Sequence, residues 1–360
     1  MRVLIACGGT GGHLFPGLAV AETLAARRHE VKLLVSEKAV DQTALAPWTT
    51  NSAGSAITVQ ALRAVGYSGS RGLMRFCGRF VQALGDCSKL QREFQPAAVL
   101  GMGGFTSAPA LLAARGSGKL IHESNAVPGK ANRWSGKVAD HIAVGLADCA
   151  KFFGHKPVTV TGTPIRQALR QGKVTDAHER LGVARDRLTV LVMGGSQGAH
   201  AINEWMAAAL PELKEWRGQT QFVHLSGAAD EATVRAAYER NGLDAKVMSF
   251  CREMELPYSA ADVVITRAGA ASLTELAAFG LPALLIPYEH AAGNHQWHNA
   301  RVFERVGAAR LVTQAQQLGP ELTALLADAG KRAGMARAAH GLAVPDAAER
   351  IANLVEAYAN

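Results

Sequence analysis

The sequence contains little cysteine. Five cysteines occur in 360 residues, and none belongs to a C-x-x-C pair or to a cluster with metal-ligand spacing. An odd number without such pairs argues against a disulfide framework and a structural zinc site. This usage is typical of a protein of the reducing cytoplasm.

Long apolar runs are also missing. The amino-terminal run Met1–Cys7 breaks into glycines and is too short for a secretory signal. The longest run elsewhere, Leu276–Pro287, is interrupted by Gly280 and Pro282 and falls short of the ~20 residues that a membrane-spanning helix needs. We therefore expect neither export nor a segment that crosses a membrane.

Charged residues (19%) and aromatic residues (6%) are scarce, whereas glycine is abundant, with 37 residues. This composition favours a loop-rich α/β enzyme over a coiled coil or a disulfide mini-protein. At the usual ~100 to 200 residues per domain, the length indicates about two domains. A hydrophobic content of 48% is enough to give each of them a core.

The excess of positive over negative charge is confined to the first half of the chain. Lys and Arg outnumber Asp and Glu by 18 to 9 over residues 1–165, a net +9, and the ratio is 20 to 21 over residues 166–360, a net −1. The asymmetry suggests an anionic partner for the first domain, such as acidic lipid or a phosphorylated substrate, with a solubilising surface as the alternative. Nucleic acid is disfavoured because the basic residues are not interleaved with stacking aromatics, and RNP, zinc-finger and KH motifs are missing.

One basic segment has helical periodicity. Arginine recurs at every fourth residue, at Arg71, Arg75 and Arg79. An apolar arc accompanies it, formed by Leu73, Met74, Phe76, Cys77, Phe80, Val81 and Leu84. Such a helix can lie on an anionic membrane surface with its apolar face in the acyl boundary. A helix that packs on the core with a solvated basic side is the open alternative.

Short β-rich runs alternate with helical patterns, which predicts parallel sheets built from βα units in both halves. The strands predicted in the first half are Val3–Ala6, Val31–Val35, Ile57–Gln60, Ala98–Leu100, Leu120–His122 and Val158–Thr161. Those predicted in the second half are Thr189–Met193, Gln221–Leu225, Val247–Phe250, Asp262–Thr266 and Ala283–Ile286. The turn-rich segment Thr161–Pro164 marks the joint between the two domains.

Three glycine-rich loops each follow a predicted strand and precede a helical pattern. They are Gly8–Gly12 with His13 next to it, Gly101–Gly104, and Gly194–Gly198. Glycine lets the backbone approach a ligand closely, and the amides at the start of the following helix favour phosphate or developing negative charge. A tight turn without a ligand is the alternative for any single loop.

Familiar cofactor motifs are missing from these loops. The dinucleotide pattern G-x-G-x-x-G would need glycine at Leu14 and at Thr106, and no Gly-Lys pair is followed by Ser or Thr. The sequence also lacks Asp-x-Asp, the usual carboxylate clamp for a metal-bound nucleotide diphosphate. We therefore expect no NAD, no Walker A site, no cofactor and no metal. A bound diphosphate would be stabilised by backbone dipoles and side-chain donors.

The third loop also matches the G-x-S-x-G pattern of a serine hydrolase. Ser196 would be the nucleophile, and Asp262 with His290 or His295 follows in the required order. A hydrolase leaves the other two loops and the basic first half without a role, so it is kept as an alternative. His290, His295 and His298 have no carboxylate or cysteine partners nearby in sequence, which disfavours metal ligation.

Taken together, the motifs resemble the MurG family of bacterial glycosyltransferases. The matching segments, in order along nearly the whole chain, are residues 8–17, 101–104, 122–126, 162–166, 194–199 and 294–296. The resemblance implies an α/β protein of the GT-B fold, with two Rossmann-like domains whose parallel sheets face each other across a cleft. It implies an amino-terminal acceptor- and membrane-binding domain over residues 1–163, a UDP-sugar-binding domain over 164–340, and a helix within 341–360 that returns to the first domain.

The same resemblance implies an activity. N-acetylglucosamine would move from UDP-N-acetylglucosamine to the C4 hydroxyl of the muramoyl sugar of lipid I (undecaprenyl-pyrophosphoryl-N-acetylmuramoyl-pentapeptide). The product would be lipid II, formed with inversion at the sugar and without a required metal. The enzyme would be a peripheral protein on the cytoplasmic face of the inner membrane. A nucleotide-sugar-binding protein without catalysis is the rival from another class.

Site residues follow from the resemblance by position. Those implied for the uracil are Phe250, Cys251 and Met254, and Glu275 would bind the ribose hydroxyls. The diphosphate would meet Ser196, Ala270, Ala271 and Ser272, and the sugar would meet His295 and Gln296. Thr10, Gly11, Gly12, His13, Asn125 and Arg166 would complete the donor site from the first domain and the hinge. Gly103 and Gly104 would face the pyrophosphate of the acceptor.

His13 is the candidate general base. The attacking hydroxyl must lose a proton as UDP leaves, and imidazole in its ordinary state is largely neutral near pH 7. A carboxylate acting through a water is the alternative proton acceptor.

Overall fold

The computed structural model describes residues 1–8, 11–37, 56–62, 73–195, 200–289 and 291–359. The chain divides into two compact units, each built on its own parallel sheet. Unit 1 comprises Met1–Arg166 together with Val344–Asn360, and unit 2 comprises Gln167–Ala343.

Unit 1 contains a seven-stranded parallel sheet with the strand order β3-β2-β1-β4-β5-β6-β7. Its strands are β1 (Arg2–Ala6), β2 (Glu30–Ser36), β3 (Ile57–Leu62), β4 (Ala98–Gly101), β5 (Gly118–Glu123), β6 (His141–Val144) and β7 (Val158–Val160). Its helices are α1 (Gly11–Ala26), α2 (Leu73–Phe94), α3 (Ser107–Ala113), α4 (Lys130–Val138) and a 3-10 helix over Ala147–Phe152.

Unit 2 contains a six-stranded parallel sheet with the order β10-β9-β8-β11-β12-β13. Its strands are β8 (Leu188–Met193), β9 (Thr220–Leu225), β10 (Asp244–Met248), β11 (Val263–Thr266), β12 (Ala283–Leu285) and β13 (Ala309–Leu311). Its helices are α5 (Gln167–Arg170), α6 (Ala177–Leu181), α7 (His200–Ala209), α8 (Glu231–Asn241), α9 (Glu255–Ala260), α10 (Ala270–Phe279), α11 (His295–Arg305), α12 (Leu318–Ala327) and α13 (Ala329–His340). The 3-10 helices of unit 2 cover Leu210–Trp216, Ala292–Asn294 and Ala315–Gln317.

The strand order reverses once in each sheet. The first strand of unit 1, β1, lies between β2 and β4, and the first strand of unit 2, β8, lies between β9 and β11. In open parallel sheets of this kind, a crevice opens at the carboxyl ends of the strands where the order reverses. Each unit is therefore Rossmann-like, which confirms the predicted α/β class, and the fold itself indicates one candidate site per unit.

Both faces of the sheet in unit 1 are buried. Along β1, Val3 and Ile5 belong to one hydrophobic cluster, and Leu4 and Ala6 belong to another. Alternate strand residues point to opposite faces, so a strand covered on both sides is apolar throughout. The sequence of β1 is apolar from Val3 to Ala6 for this reason.

The last helix, α14 (Ala347–Ala357), belongs to unit 1. Its Ile351 and Val355 are fully buried in the cluster that contains Val3. A polar contact lies beside them, where Glu356 accepts hydrogen bonds from Arg27 Nη1 and His29 Nε2, each at 2.8 Å. The carboxy terminus therefore returns to the first sheet.

Three details differ from the sequence prediction. Strands β6 and β13 were not predicted, and the run predicted at Val247–Phe250 forms β10 at Asp244–Met248 instead. The missed strands have only four and three residues, too few for a period to be recognised. Among the described helices, none is long and apolar enough to span a bilayer.

A buried histidine lies in the core of unit 2. His224 on β9 is inaccessible to solvent, and its two ring nitrogens lie 3.1 Å from the Tyr238 hydroxyl and 2.9 Å from Asn203 Oδ1. Burial lowers the pKa of His224 from 6.5 to about 3, and the nearby Asp230 opposes this shift only in part. The imidazole is therefore neutral in the folded protein near pH 7.

Acid should destabilise unit 2 through His224. As the pH falls from 6.5 toward 3, the unfolded chain binds a proton at this residue that the folded chain does not. Above pH 6.5 the neutral imidazole carries no such penalty. Between pH 6.5 and 3 the free energy of unfolding therefore falls by about 1 kcal/mol per pH unit. Replacing the imidazole by a neutral amide, His224→Gln, should make the urea midpoint fall less steeply below pH 6.5 than in the wild type. Parallel curves for the two proteins would contradict this assignment.

Candidate functional site

The candidate site of unit 1 lies where β1 and β4 end. Both strands run directly into glycine-rich segments, and α1 begins at Gly11 after the first of them. His13 is half-buried in the first turn of α1. Gly12 lies beside it, whereas Thr10 is outside the described residues. The predicted base is therefore at a helix amino terminus at the switch point of the first sheet.

The loop after β4 packs tightly against the His13 ring. Gly103 and Gly104 have φ angles of 102° and 75°, which L side chains rarely adopt. A Cβ on Gly103 would lie 2.9 Å from His13 Nε2, and one on Gly104 would lie 2.8 Å from the carbonyl oxygen of Gly8. Only glycine permits this approach, which explains why both positions lack a side chain.

Ser107, at the start of α3, fixes this loop. Its hydroxyl accepts a hydrogen bond from the Gly103 amide at 3.0 Å and lies 2.7 Å from Gly103 O and 3.1 Å from Ala6 O. The Gly103 amide is therefore already engaged. A pyrophosphate at this loop would have to be held by other amides. Of the two predicted acceptor residues, Gly103 therefore cannot offer its amide, and the prediction is left with Gly104.

A buried carboxylate stands next to this loop. Glu123, at the end of β5, is 3% exposed and accepts four N–H groups. The Asn125 amide and side chain donate to Oε1 at 2.9 and 2.8 Å, and Gly129 N and Asn132 Nδ2 donate to Oε2 at 3.1 and 3.0 Å. The side-chain NH₂ of Asn125, a predicted donor contact, is thus engaged by Glu123. A buried charge that accepts several donors fixes the chain around it.

His122 precedes this carboxylate and is fully buried. Its Nε2 lies 2.9 Å from the carbonyl oxygen of Gly162, so Nε2 carries the proton. Burial is the main reason why the pKa of His122 is lowered, and the charge of His13 lowers it further, while Gly162 and Glu123 act in the opposite direction. His13 lies close to this pair, because a Cβ on Gly103 would be 2.9 Å from His13 Nε2 and 3.4 Å from Asn132 Nδ2, which donates to His122 O and to Glu123 Oε2.

Arg166 also belongs to unit 1. Its guanidinium lies 4.9 Å from the centre of the Phe15 ring, on the second turn of α1. The same ring lies 3.2 Å from where a Cβ on Gly11 would stand. Arg166 is thereby held near the amino-terminal end of α1, with His13.

The candidate site of unit 2 lies where β8 and β11 end. Gly195 follows β8 with a φ of 116°, and Ser196 is outside the described residues. After β11, helix α10 begins at Ala270, with Ala271 and Ser272 half-buried in its first turn. The predicted diphosphate residues of α10 thus occupy a helix amino terminus at the switch point of the second sheet.

Glu275 lies one turn farther along α10 and is held by a buried tyrosine. The hydroxyl of Tyr258, which is 1% exposed, donates to Glu275 Oε2 at 2.7 Å. Tyr258 belongs to α9, which begins directly after Met254. One hydrogen bond therefore links the predicted ribose ligand to the helix that carries a predicted uracil contact.

Other predicted donor contacts lie in neighbouring loops of unit 2. Phe250 and Cys251 follow β10, where Phe250 is 56% exposed and Cys251 is half-buried. His295 and Gln296 begin α11, and Gln296 Oε1 accepts the amide hydrogen of Tyr288 at 2.9 Å. All four residues lie beyond the carboxyl ends of strands of the same sheet.

Arg267, between β11 and α10, was not predicted. Its Nη1 donates to the carbonyl oxygen of Ile286 at 3.2 Å, and its guanidinium lies 5.4 Å from the centre of the Tyr288 ring. Burial lowers the pKa of Arg267 from its ordinary value. The residue ties the loop after β11 to the one after β12. Within the described residues, His, Cys, Asp and Glu nowhere cluster in threes as for a metal ion.

The predicted membrane segment coincides with the first turns of α2. Arg71 and the side chains of Leu73, Met74, Arg75 and Phe76 lie outside what the structure describes. Arg79 and Phe80 are half-buried, whereas Cys77 and Val81 are exposed. The side chains of α2 that pack in the core are Ala83, Leu84, Cys87, Leu90 and Phe94. The core therefore covers Leu84 but leaves Cys77 and Val81, members of the predicted apolar arc, uncovered.

The serine hydrolase alternative is wrong. Asp262 precedes β11, and its Oδ2 accepts the amide hydrogen of Thr189 near the start of β8 at 2.8 Å. The loop containing Ser196 follows the opposite end of β8, which is about 13 Å farther at ~3.3 Å per residue. The proposed acid and nucleophile therefore belong to opposite edges of the sheet. His290 lies outside the described residues.

Besides Arg267 and Ser107, sequence patterns missed Tyr258, Asn132 and Glu123, which also shape these sites. Tyr258 precedes Glu275 by seventeen positions, and no local pattern links them. Asn132 contacts Glu123 from the first turn of α4, although the two are nine positions apart. Glu123 itself had a usable signal, because a carboxylate directly after an apolar strand indicates the functional edge of a parallel sheet.

Comparison with known proteins identifies the relatives of this chain. It matches the glycosyltransferase family 28 N-terminal domain over residues 3–144 and the C-terminal domain of that family over residues 189–351. A protein of Geobacter sulfurreducens named UDP-N-acetylglucosamine--N-acetylmuramyl-(pentapeptide) pyrophosphoryl-undecaprenol N-acetylglucosamine transferase is 40% identical over 98% of this chain and 97% of its own length. A protein of Syntrophus aciditrophicus with the same name is 38% identical over 89% of this chain and 88% of its own length.

Solved structures agree. The crystal structure of Acinetobacter baumannii MurG superposes with a TM-score of 0.78 at 28% identity, covering 99% of both chains. This match confirms the expected GT-B class. A UDP-GlcNAc 2-epimerase from Neisseria meningitidis bound to UDP-GlcNAc superposes with a TM-score of 0.72 at 15% identity, covering 99% of this chain and 100% of the other, which shows a shared fold alone.

Substitution of Gly104 tests the close approach at the first site. Gly104 and Gly116 have similar φ angles of 75° and 70°, but a Cβ on Gly116 would meet nothing within 4 Å. Gly116→Ala should therefore lower the free energy of unfolding by about 1 kcal/mol, because alanine disfavours the left-handed backbone at this position. Gly104→Ala should lower it distinctly more, because its Cβ would also meet the Gly8 carbonyl oxygen. Chemical denaturation of both variants measures the difference, and equal losses would contradict the packing described.

Proposed function

The chain belongs to the UDP-N-acetylglucosamine transferases of glycosyltransferase family 28, and from this premise we propose that unit 2 binds the nucleotide sugar and unit 1 supplies the proton acceptor. The enzyme transfers N-acetylglucosamine from UDP-N-acetylglucosamine to lipid I and forms lipid II. In the proposed reaction the C4 hydroxyl of the muramoyl sugar attacks with inversion, and no metal is required.

The observation that carries the donor assignment is the held carboxylate of Glu275. Tyr258 fixes one carboxylate oxygen one turn inside α10, at the switch point of the second sheet. A carboxylate in this position can accept both hydroxyls of a ribose. The diphosphate then lies at the switch point between β8 and β11, where the amino termini of α7 and α10 supply backbone amides and helix dipoles that stabilise negative charge without a metal. Phe250 and Cys251 contact the uracil in this arrangement.

His13 takes the proton of the attacking hydroxyl. Its ring lies against the Gly103–Gly104 loop, close to the buried Glu123 and His122 pair. This packing limits the orientations of the imidazole, as a general base requires. The acceptor pyrophosphate is assigned to the amides of the same loop, other than that of Gly103.

The proposal that the enzyme binds a membrane is based on a second exposed surface of unit 1, which we call the α4 patch. It contains Trp134, which is 69% exposed, and Phe152, which is 38% exposed. Lys137 lies 4.4 Å from the Trp134 ring centre, and Arg133 and Lys151 lie 5.3 and 5.4 Å from that of Phe152. Exposed aromatics with basic neighbours favour an anionic bilayer surface.

This surface is continuous with the candidate site. Helix α4 carries Trp134 on its exposed side and Asn132, which binds Glu123, in its first turn. A bilayer at the α4 patch would bring the lipid headgroup toward the Gly103–Gly104 loop, because a Cβ on Gly103 would lie 3.4 Å from Asn132 Nδ2 of the same helix. The proposed location is the cytoplasmic face of the inner membrane, as a peripheral protein.

Turnover tests the activity against a nucleotide-sugar-binding protein without catalysis, which the comparisons do not support. The protein, UDP-N-acetylglucosamine and a lipid I analogue should yield a disaccharide product, identified by its mass, in amounts that exceed the enzyme many-fold. Binding of the donor without product would overturn the proposed function.

Removal of the His13 imidazole should lower kcat far more than donor affinity. General-base catalysis typically contributes about 10²- to 10⁴-fold, so His13→Ala should lose roughly this much in kcat with little change in the KM of the donor. The exposed His155 of the same unit serves as the matched control, and His155→Ala should retain full activity. Steady-state kinetics with both substrates varied measure the effect. Unchanged turnover in the His13 variant would remove this role.

The α4 patch should bind anionic vesicles. A Trp134→Ser, Phe152→Ser double variant should sediment less with vesicles containing phosphatidylglycerol, because it loses the aromatic side chains that enter the interface. Phe76→Ser with Phe80→Ser should act in the same direction through α2. Phe250→Ser, which removes an exposed aromatic from unit 2, is the control and should bind like the wild type. Equal sedimentation of all variants would refute the membrane assignment.

A further inference from the structure

A polar network crosses the core of unit 2 and ends at the first turn of α7. His224 on β9 and Tyr238 on α8 form its inner end, and both are buried. Asn203 on α7 joins them to Asp230, directly before α8. None of these residues belongs to the donor contacts assigned above.

The donor and the acceptor of each hydrogen bond in the network are determined by its partners. Asn203 Nδ2 donates to Ser226 O at 2.9 Å and to Asp230 Oδ2 at 2.7 Å, and both of these oxygens only accept. The Asn203 amide oxygen therefore faces His224 Nε2, which must carry the single proton of the neutral ring. The unprotonated Nδ1 of His224 then accepts the Tyr238 hydroxyl hydrogen. Reversing any link would leave a buried group without its partner, which costs about 1–3 kcal/mol.

The outer end of the network is the start of α7. His200, the first residue of this helix, donates from Nδ1 to the same Asp230 Oδ2 at 2.8 Å. Two side chains of the first turn, those of His200 and Asn203, are thus fixed to one carboxylate. This turn directly follows the glycine-rich loop after β8, at the switch point where the donor diphosphate is assigned.

We propose that Tyr238, His224 and Asn203 are positioning residues for the donor, because together they hold the amino-terminal turn of α7 at the angle that aims its backbone amides at the diphosphate. The inference rests on the proposed function. A helix amino terminus binds an anion only if its unpaired amides point at it, so a small rotation of this turn weakens donor binding. The side chains act through the backbone and do not touch the nucleotide sugar.

Four variants separate positioning from general stability. Tyr238→Phe removes only the hydroxyl that donates to His224. His224→Gln can keep an N–H near the position of Nε2, whereas His224→Asn reaches only the position of Nδ1. Val234→Ala, on the same helix as Tyr238 and 4% exposed, creates a cavity without touching the network. Each is measured for urea midpoint, for UDP affinity by calorimetry and for steady-state kinetics, well below its melting temperature.

The expected result is a change in donor affinity that follows the hydrogen bonds. Tyr238→Phe and His224→Asn should raise the donor KM and the UDP Kd about 2- to 10-fold, the effect of one neutral hydrogen bond, with kcat and acceptor KM nearly unchanged. His224→Gln keeps an N–H for Asn203 but loses the acceptor of the Tyr238 hydroxyl, so it should weaken UDP binding about as much as Tyr238→Phe. Val234→Ala should lose stability without loss of UDP affinity.

Two outcomes would overturn the inference. In the first, UDP affinity follows the urea midpoint across all four variants, including Val234→Ala, so that the network only stabilises the core. In the second, Tyr238→Phe, the smallest change, binds UDP like the wild type. Neither outcome affects the proposed function, which fails separately if the wild-type protein makes no product from lipid I analogue.

Discussion

A departing nucleoside diphosphate gains negative charge in the transition state, and the protein must supply matching donors before the bond breaks. Parallel sheets provide them, because the helices that follow their strands begin at one edge and present unpaired amides there. Both units of this chain have this arrangement, with glycine-rich segments where the strand order reverses. The positions of His13 and Glu275 follow from this single constraint.

The two sites differ in which groups accompany the backbone amides at the carboxyl ends of the strands. In unit 1 the loop is pressed against an imidazole, and Gly103 and Gly104 permit contacts that a side chain would block. In unit 2 the amides are supplemented by a carboxylate, Glu275, which a buried hydroxyl holds in place. In the proposed reaction, the site of unit 1 removes the proton from the acceptor alcohol, and the site of unit 2 binds the ribose and the diphosphate.

Much of this could be read from the sequence, since a strand buried on both faces is apolar, as β1 is, and glycine after such a strand identifies the functional edge. Contacts between elements that are distant in sequence could not be predicted in this way. The bond from Tyr258 to Glu275 joins two helices through their packing, and the edge of the sheet on which Asp262 lies follows from strand register. The hydrolase interpretation failed there, because motif order carries no information about sheet edges. Strand β6 was too short to show a period.

A crystal structure of the protein with bound UDP would show directly where the donor lies. We expect the ribose hydroxyls within hydrogen-bond distance of the Glu275 carboxylate and the diphosphate at the first turns of α10 and α7. Uridine bound on unit 1 beside His13, or on unit 2 away from the ends of β8 and β11, would contradict this expectation.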